Sequence, residues 1–275
     1  DAADATVVGC AMTDNGYGVH VTSSDDVTVS HNEIFANLID GLVVSYDSDR
    51  THVIGNYIHD HFLWGHPDGM QTHSGIEEIY IEDNLIVNSG QSIMMEASDG
   101  VHLTNNVIVG SHSYMVRYDH GNVYNTVQRG NTLAYSTYGL IMNRVGTDHH
   151  DWQDNVYYRG SGNVVYAVPE GQDYTSDYNL FYHGPNLDGA TVAYEGDWLD
   201  FDAYVAASGQ DAHSRYADPQ FRNAPAYVLR MDADREHLYT ASRLYLDGSP
   251  EPNTAVGDII EVNFDGMPRR ITAVG

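Results

Sequence analysis

The chain has 275 residues, with 39 Asp and Glu against 12 basic residues that are all Arg, and its formal net charge is −27. Nucleic-acid-binding proteins need a basic footprint and proteins of anionic membrane surfaces need clustered Lys or Arg, so this composition excludes both classes. No apolar run reaches the length of a membrane span, so we expect no membrane insertion. Cys10 is the single cysteine, so an internal disulfide is excluded as well.

The acidic, lysine-free, cysteine-poor composition is typical of a secreted bacterial protein or of one adapted to high salt. A GC-rich coding sequence, which replaces Lys with Arg, explains the missing lysine equally well. We predict a secreted or extracellular protein that works as a monomer.

An internal repeat of about 24 residues is the main signal in the sequence. Each repeat carries an asparagine followed two residues later by a large hydrophobic residue. The seven asparagines are Asn32, Asn56, Asn84, Asn106, Asn131, Asn155 and Asn179. We expect each to lie at a tight turn, in the left-handed backbone conformation that Asn tolerates, and to bond the Asn of the next coil as a ladder.

Two short strands per repeat are predicted in chain order. An early strand begins near Gly18, Gly41, Gly69, Ile93, Met115 and Gly139, and a later strand precedes each asparagine, as at residues 27–29, 79–81 and 101–103. The later strands alternate apolar and polar residues at the period of a half-buried strand. No segment keeps a 3.6-residue apolar period, so helices should be minor. The pattern predicts an all-β parallel β-helix, or solenoid, of about seven or more coils.

Residues 15–225 resemble the right-handed parallel β-helix proteins that act on carbohydrates: polysaccharide lyases, mannuronan C5-epimerases and pectinase-like hydrolases. Residues 176–182 resemble the last coil of such domains, and residues 209–221 resemble the segment that follows it. The resemblance implies a right-handed β-helix and a polysaccharide partner. We therefore expect a β-helix catalytic domain in residues 1–225. Residues 226–275 should form a small C-terminal β extension, either a cap or the start of a further module.

Stacking of the coils places equivalent residues in columns one strand spacing, about 4.8 Å, apart. One predicted outward column is His20, Val43, Gln71, Met94, Arg117 and Ile141, and the next is Thr22, Ser45, His73, Glu96, Asp119 and Asn143. These columns bring acidic, basic and amide side chains onto one face of the central coils. Tyr118 and Met95 should point into the core.

The coil that carries Gln71 and His73 also contains an inserted loop, residues 59–69. Long loops on a rigid solenoid commonly carry function, and Trp64 could stack on a sugar face, with His66 and Asp68 beside it. His59 and His61 are expected to be exposed. Asp68 has an alternative explanation, because Asp before Gly is good turn chemistry.

The first functional hypothesis is β-elimination on a uronic-acid polysaccharide such as alginate, or C5-epimerisation, which also begins by removal of the C5 proton. His73 is the predicted base by residue type, with Arg117 and Gln71 neutralising the substrate carboxylate and Tyr46 or Tyr118 supplying the acid. The substrate-binding candidates are Gln71, Asn143, Arg144, His66 and Trp64. A Ca²⁺ ion held by Asp68, Glu96 or Asp119 could bridge to the sugar carboxylate.

Two departures weaken the resemblance to particular enzymes. Many β-helix lyases use a lysine that this chain lacks, and the Tyr-Gly-Phe-Asp-Pro-His string of the epimerases is absent. An inverting glycoside hydrolase that uses Asp68, Glu96 and Asp119 stays open, because inverting enzymes work with two separated carboxyl groups. A non-catalytic glycan-binding solenoid also stays open, and Glu96 and Asp119 could then simply pair with Arg117 to hold the coils together.

Overall fold

The structure is a computed structural model that describes residues 3–61, 67–144, 147–159, 164–184, 190–222, 255–260 and 268–274. The contacts divide the chain into a first unit, Asp1–Tyr227, and a second unit, Val228–Gly275. No described helix combines the length and hydropathy that a membrane crossing requires.

Most of the regular structure in the first unit is β-strand. The strands are, in chain order, β1 (Thr6–Val8), β2 (Ala11–Met12), β3 (Tyr17–Thr22), β4 (Thr28–Ser30), β5 (Glu33–Phe35), β6 (Asp40–Ser45), β7 (Thr51–Ile54), β8 (Tyr57–His61), β9 (Asp68–His73), β10 (Ile76–Glu82), β11 (Leu85–Ser89), β12 (Gln91–Met95), β13 (Ser98–Thr104), β14 (Val107–Ser111), β15 (Tyr114–Tyr118), β16 (Val123–Arg129), β17 (Thr132–Ser136), β18 (Gly139–Asn143), β19 (Thr147–Gln153), β20 (Val156–Tyr158), β21 (Val164–Val168), β22 (Tyr174–Asp177), β23 (Leu180–Tyr182), β24 (Val192–Tyr194), β25 (Asp197–Leu199) and β26 (Arg215–Tyr216). The helix α1 (Phe201–Ser208) lies between β25 and β26.

Every third strand pairs in parallel with its equivalent in the next coil, which produces three sheets. The first sheet has the order β1-β4-β7-β10-β13-β16-β19-β22, and the second has β2-β5-β8-β11-β14-β17-β20-β23-β26. The third has β3-β6-β9-β12-β15-β18-β21-β24, with β25 added antiparallel at its end. The predicted all-β, right-handed parallel β-helix of about seven coils is confirmed, and crossovers between parallel strands have this hand almost without exception.

The core forms because apolar residues recur at the same inward position of each coil. In the second sheet the register aligns one buried column along the axis, made of Ile34, Ile58, Ile86, Ile108, Leu133, Tyr157 and Phe181. Inward and outward residues alternate along the central strands of the first sheet, as the period-2 pattern predicted.

The predicted asparagine ladder runs through the solenoid at the turn between the first and second sheets. In the first six asparagines the amide nitrogen donates both to the Oδ1 of the next asparagine and to a backbone carbonyl of the preceding coil; for Asn106 these distances are 3.0 Å to Asn131 and 2.8 Å to Ile81. The backbone conformation was predicted wrongly. The left-handed residue is the one before each ladder asparagine, such as Asp83 before Asn84. The asparagine itself keeps ordinary backbone angles because its amide must point inward to reach both partners.

A buried carboxylate closes the ladder at its C-terminal end. Asp211 Oδ1 accepts from Asn179 Nδ2 at 3.0 Å, where a further asparagine would otherwise stand. Its Oδ2 accepts from the hydroxyls of Tyr166 and Tyr204 at 2.7 and 3.0 Å. The segment after the last full coil, together with α1, therefore supplies the polar partners that the last coil lacks.

The turn between the second and third sheets contains a buried histidine, against our expectation of exposure. His61 is completely buried, and burial lowers its pKa to about 4. Its Nε2 contacts Asn37 Nδ2 at 3.3 Å, and its ring lies under Gly41. His61 takes the position that Asn37 has in the preceding coil, so it is part of the wall of the solenoid.

Gly41→Ala should destabilise the protein by about 3 kcal/mol, because overpacking a dense interior forces neighbouring atoms apart. A Cβ at this position would lie 2.5 Å from the carbonyl oxygen of Gly69 and 2.8 Å from His61 Cε1. Gly16→Ala is the matched control, because its Cβ would meet only Ile39 Cδ1 at 3.9 Å. Urea unfolding of the three proteins measures the difference; equal stability of the two variants would contradict the close approach.

In the second unit, β27 (Ile259–Ile260) pairs antiparallel with β28 (Arg269–Arg270). Both strands lie within residues 226–275, for which the sequence predicts a small β extension. The assignment of this unit as a cap or a further module stays a prediction, as does the catalytic role of residues 1–225.

Candidate functional site

The outer surface of the third sheet, which we call the polar face, carries two aligned columns of side chains. Pairing of the strands sets the first as His20, Val43, Gln71, Met94, Arg117 and Met142. The second is Thr22, Ser45, His73, Glu96, Asp119 and Arg144, continued past the paired residues by the backbone bonds of Asp119 to Met95 and of Arg144 to Tyr118. The structure therefore places Gln71, His73, Glu96, Arg117 and Asp119 on one face.

The predicted columns are wrong by one residue at the last coil. Arg117 pairs with Met142, so Ile141 points into the core, and Asn143 pairs with the buried Tyr118. The coil from β15 to β18 is one residue longer than we assumed when we aligned the strands by sequence. The residues of β18 therefore lie on the opposite face of the sheet from the one predicted. Arg144 consequently takes the place in the second column that was predicted for Asn143.

The Asn143 side chain is buried and joins Thr147 to Gln172 through hydrogen bonds, so it does not lie on the surface. Its Nδ2 donates to Gln172 Oε1, and its Oδ1 accepts from the Thr147 hydroxyl. Gln172 Nε2 in turn donates to the backbone carbonyls of Arg144 and Thr147, each at 2.8 Å. The Asn143 amide is buried and hydrogen-bonded inside the turn, so the structure does not place it on the polar face. Its substrate-binding role stays a prediction.

Three nitrogen-bearing side chains converge on Asp119. Its Oδ2 accepts from Arg117 Nε at 3.0 Å, and it lies 3.3 Å from Arg144 Nε and 3.8 Å from His120 Nε2. Partial burial works to raise the pKa of Asp119, but hydrogen bonds from Arg117 and from the His120 backbone outweigh it, and the pKa falls below its ordinary value. Asp119 is therefore ionised at neutral pH. We call Arg117, Asp119, His120 and Arg144 the Asp119 cluster.

The two arginines of the cluster differ in accessibility. The Arg117 side chain is 18% exposed, with Nη1 donating to Gln91 Oε1 at 3.1 Å, while its other nitrogens face Asp119. The Arg144 side chain is 53% exposed and meets Asp119 through Nε. Of the two, Arg144 is therefore better placed to receive an anion from solvent.

A chain of hydrogen-bonded buried polar side chains, which the sequence analysis did not identify, holds the Arg117 guanidinium. Gln91, at the start of β12, accepts from Arg117 and donates through Nε2 to Asp68 Oδ1 at 3.2 Å. The backbone N–H of Asp68 donates to Asp40 Oδ1 at 2.8 Å, and Asp40, Asp68 and Gln91 are all buried. A glutamine at a strand start gives no chemical signal in sequence, because only the coil register brings it under Arg117.

Glu96 and His73 lie on the coils before the cluster. Glu96 Oε1 accepts from Gln71 Nε2 at 3.3 Å. His73 contacts the Ser74 hydroxyl through Nδ1 at 2.9 Å, and its ring meets the edge of Tyr46 with the centroids 5.4 Å apart. Burial, followed by the charge of His73, lowers the pKa of the neighbouring His20.

The tyrosines of the region divide by burial. Tyr118 lies in the core as expected, with its hydroxyl accepting from Gln128 Nε2 at 2.8 Å, and burial raises its pKa. It therefore does not reach the polar face as an acid. Tyr114, at the start of β15, is half-buried; burial raises its pKa even though Arg144 and Arg117 oppose the shift. Tyr46 is exposed.

Two predicted substrate-binding residues, Trp64 and His66, lie outside the described residues. The predicted calcium ligands are not brought together. Asp68 is buried against Gln91, and Asp119 is paired with arginines. Within the residues that the structure describes, no three His, Cys, Asp or Glu side chains form a group that could hold a metal ion.

Comparison with protein families matches residues 4–189 to the family described as "Periplasmic copper-binding protein (NosD)", a match that covers more than half of the chain. The chain belongs to the NosD family. No curated protein matches this NosD-family chain. Among solved structures, the crystal structure of the Dettilon tailspike protein (gp208) is similar at 12% identity and a TM-score of 0.43. That match covers 77% of this chain and 49% of the tailspike chain, so the chain spans about half of the tailspike's length.

The copper in the family description can be tested against the donors of this NosD-family chain. Copper sites in proteins are built from several His, Cys or Met ligands. Cys10 stands in an exposed turn and its thiol donates to the Val8 carbonyl. Among the described residues no three His, Cys, Asp or Glu side chains group together, so they form no copper site of that kind.

Proposed function

We propose that the polar face binds a uronic-acid-containing polysaccharide and cleaves it by β-elimination at the Asp119 cluster. The observation that carries the proposal is the convergence of Arg117, Arg144 and His120 on one carboxylate oxygen. It sets an accessible guanidinium and an imidazole beside each other on a chain whose net charge is −27. A local cation of this kind is what an anionic sugar needs.

The chemistry assigns one task to each side chain. Arg144 binds the substrate carboxylate and so stabilises the negative charge that develops when C5 loses its proton. His120 Nε2 takes that proton, a double bond forms between C4 and C5, and the bond from C4 to the leaving oxygen breaks. Tyr114, which its raised pKa keeps protonated at neutral pH, is the candidate donor of a proton to that oxygen. Arg117 acts through Asp119 as a positioning residue.

Coil geometry favours His120 over His73 as the base. His73 and Arg144 stand three coils apart in the same column, a separation of about 14 Å. A base and a carboxylate ligand that serve the same sugar must lie closer together than this. His120 and Arg144 both lie within 4.0 Å of Asp119 Oδ2. Base catalysis by His73 with Gln71 and Arg117 neutralising the carboxylate stays a prediction that the same experiment tests.

The lowered pKa of Asp119 argues against the inverting hydrolase. That reaction needs one carboxyl group that stays protonated at working pH to donate to the leaving oxygen. Asp119 is held ionised by Arg117, so Glu96 or Asp68 would have to serve as the acid, and Asp68 is buried against Gln91. C5-epimerisation shares the first proton transfer with elimination and differs in the product, so it is an outcome of the test.

Two accompanying proposals concern calcium and location. The calcium ion predicted at Asp68, Glu96 or Asp119 stays a prediction; loss of activity on dialysis against EGTA, restored by Ca²⁺, would support it. The family description names a periplasmic protein, which supports action outside the cytoplasm.

His120→Gln and Arg144→Gln should each lower the elimination rate about a hundredfold, because each removes a group that acts in the transition state. The measurement is the ultraviolet absorbance of the unsaturated product from a panel of uronate glycans. Arg129→Gln is the matched control for Arg144, since Arg129 is an exposed arginine paired with Asp151 on the first sheet. It should keep the wild-type rate.

His73→Ala separates the two candidate bases. If His73→Ala abolishes the activity and His120→Gln keeps it, His73 is the catalytic base. Reducing ends without ultraviolet absorbance would indicate a hydrolase, and a changed C5 configuration without cleavage an epimerase. Binding without any product would leave a glycan-binding solenoid.

A further inference from the structure

The two arginines of the polar face are placed unevenly along its described part. The guanidinium groups of Arg117 and Arg144 lie on the later coils, around Asp119. The preceding coil places the Glu96 carboxylate in the same column as Asp119 and Arg144. The earlier coils also hold the carboxyl groups of Asp40 and Asp68, which are buried.

We propose that the substrate is a heteropolymer whose uronate units are separated by at least two neutral sugars, and not a homopolymer of uronate. The proposal rests on the proposed function, because it assumes that a uronate binds at Arg144. A sugar ring in an extended glycan spans roughly one strand spacing, about 4.8 Å. A glycan lying along the solenoid with one carboxylate on Arg144 therefore places its neighbouring sugars over the coils of Asp119 and Glu96.

A homopolymer would bring a second carboxylate to Glu96. Glu96 lies two coils from Arg144 in the same column, and its hydrogen-bond partner there is the uncharged amide of Gln71. Like charges that are brought together in a partly desolvated groove repel each other. The buried carboxyl groups of Asp40 and Asp68 stand on the same side of the cluster and are hydrogen-bonded within the protein.

A neutral sugar suits the same position. The Glu96 carboxylate and the Gln71 amide offer hydrogen-bond acceptors, and the hydroxyls of a neutral sugar are donors for them. His73 lies on the coil before Glu96 in the same column and adds a ring nitrogen to this surface. The position beside Glu96 is therefore a subsite for hydroxyl groups, and the Asp119 cluster is the subsite for a carboxylate.

The test compares three oligosaccharides of equal length by titration calorimetry at low salt. One is a homo-oligouronate, one carries two neutral hexoses between successive uronates, and one is this spaced compound with its carboxyl groups reduced. The spaced compound should bind about tenfold more tightly than the homo-oligouronate, and added salt should narrow this difference in affinity because it screens repulsion.

Glu96→Gln should shift the affinity ratio several-fold towards the homo-oligouronate. Glu78→Gln is the matched control, because it removes the same charge from an exposed carboxylate on the first sheet and should leave the ratio unchanged. Equal or tighter binding of the homo-oligouronate to the wild type, or a ratio that Glu96→Gln leaves unchanged, would overturn the inference alone. Equal binding of all three compounds would overturn the proposed function as well.

Discussion

Lowering the pH from 6.5 to 4 should cost the β-helix about 6 kcal/mol of unfolding free energy through two buried histidines, His61 and His150. Burial lowers the pKa of each to about 4. His150 is held by Thr126 Oγ1 at 2.7 Å and stacks between Tyr118 and Trp152. Asp60 near His61 and Asp148 near His150 favour the protonated imidazoles, but burial outweighs both carboxylates.

The direction of the pH effect follows from the lowered pKa values. An unfolded histidine binds a proton below about pH 6.5, whereas His61 and His150 in the folded protein stay neutral until about pH 4. Stability is therefore complete above pH 6.5 and falls as the pH drops to 4, by about 3 kcal/mol for each histidine. Net stabilities of folded domains are about 5–15 kcal/mol, so this loss is large enough to unfold the solenoid.

Urea unfolding at a series of pH values measures the effect, and His61→Asn isolates one histidine. Asn37 occupies the equivalent position one coil earlier, so asparagine suits this site and does not titrate. Between pH 6.5 and pH 4 the free energy of unfolding should fall by about 3 kcal/mol in the variant and by about 6 kcal/mol in the wild type. His31→Asn is the control, because His31 is exposed and is not among the groups that shift the pKa of His61 or His150. If His61→Asn keeps the wild-type pH slope, the assignment is wrong.

The fold could be predicted from sequence because one physical constraint repeats in every coil. Each coil must present an asparagine to its neighbours and an apolar residue two positions later, as at Asn84 and Ile86. That pairing is visible without a structure. The backbone conformation at the ladder turns was harder to predict from the sequence, because the left-handed residue before each ladder asparagine varies among Gly, Asp, Asn, His and Tyr.

The candidate site was less predictable because it depends on register. One extra residue in a single coil moved Asn143 into the turn and Arg144 onto the polar face. His120 was overlooked although it directly follows Asp119; it lies beyond the end of β15, so the strand alignment did not include it. Gln91 could not be found from sequence, since its role exists only through contacts to Arg117 and Asp68.

The middle of the asparagine ladder should tolerate substitution worst. Asn106→Leu keeps the side-chain size and should destabilise the protein by about 5 kcal/mol, because several buried polar groups lose their partner at once. Asn106 Oδ1 accepts from both the backbone and the side-chain nitrogen of Asn84, each at 3.0 Å. Its Nδ2 donates to the Ile81 carbonyl and to Asn131 Oδ1.

Leucine cannot form hydrogen bonds with those groups, and they stay buried away from water. A buried donor or acceptor that loses its partner costs about 1–3 kcal/mol, and the effect reaches both neighbouring coils because Asn84 and Asn131 belong to them. In a solenoid each coil contacts only its neighbours. The lost hydrogen bonds should therefore either split urea unfolding into two transitions or strongly lower the urea concentration at its midpoint. Asn122→Leu makes the same chemical change at an exposed asparagine and should alter stability by less than about 0.5 kcal/mol. Circular dichroism during urea unfolding compares the two variants, and a similar small effect for both would show that ladder packing, and not its hydrogen bonds, holds the coils in register.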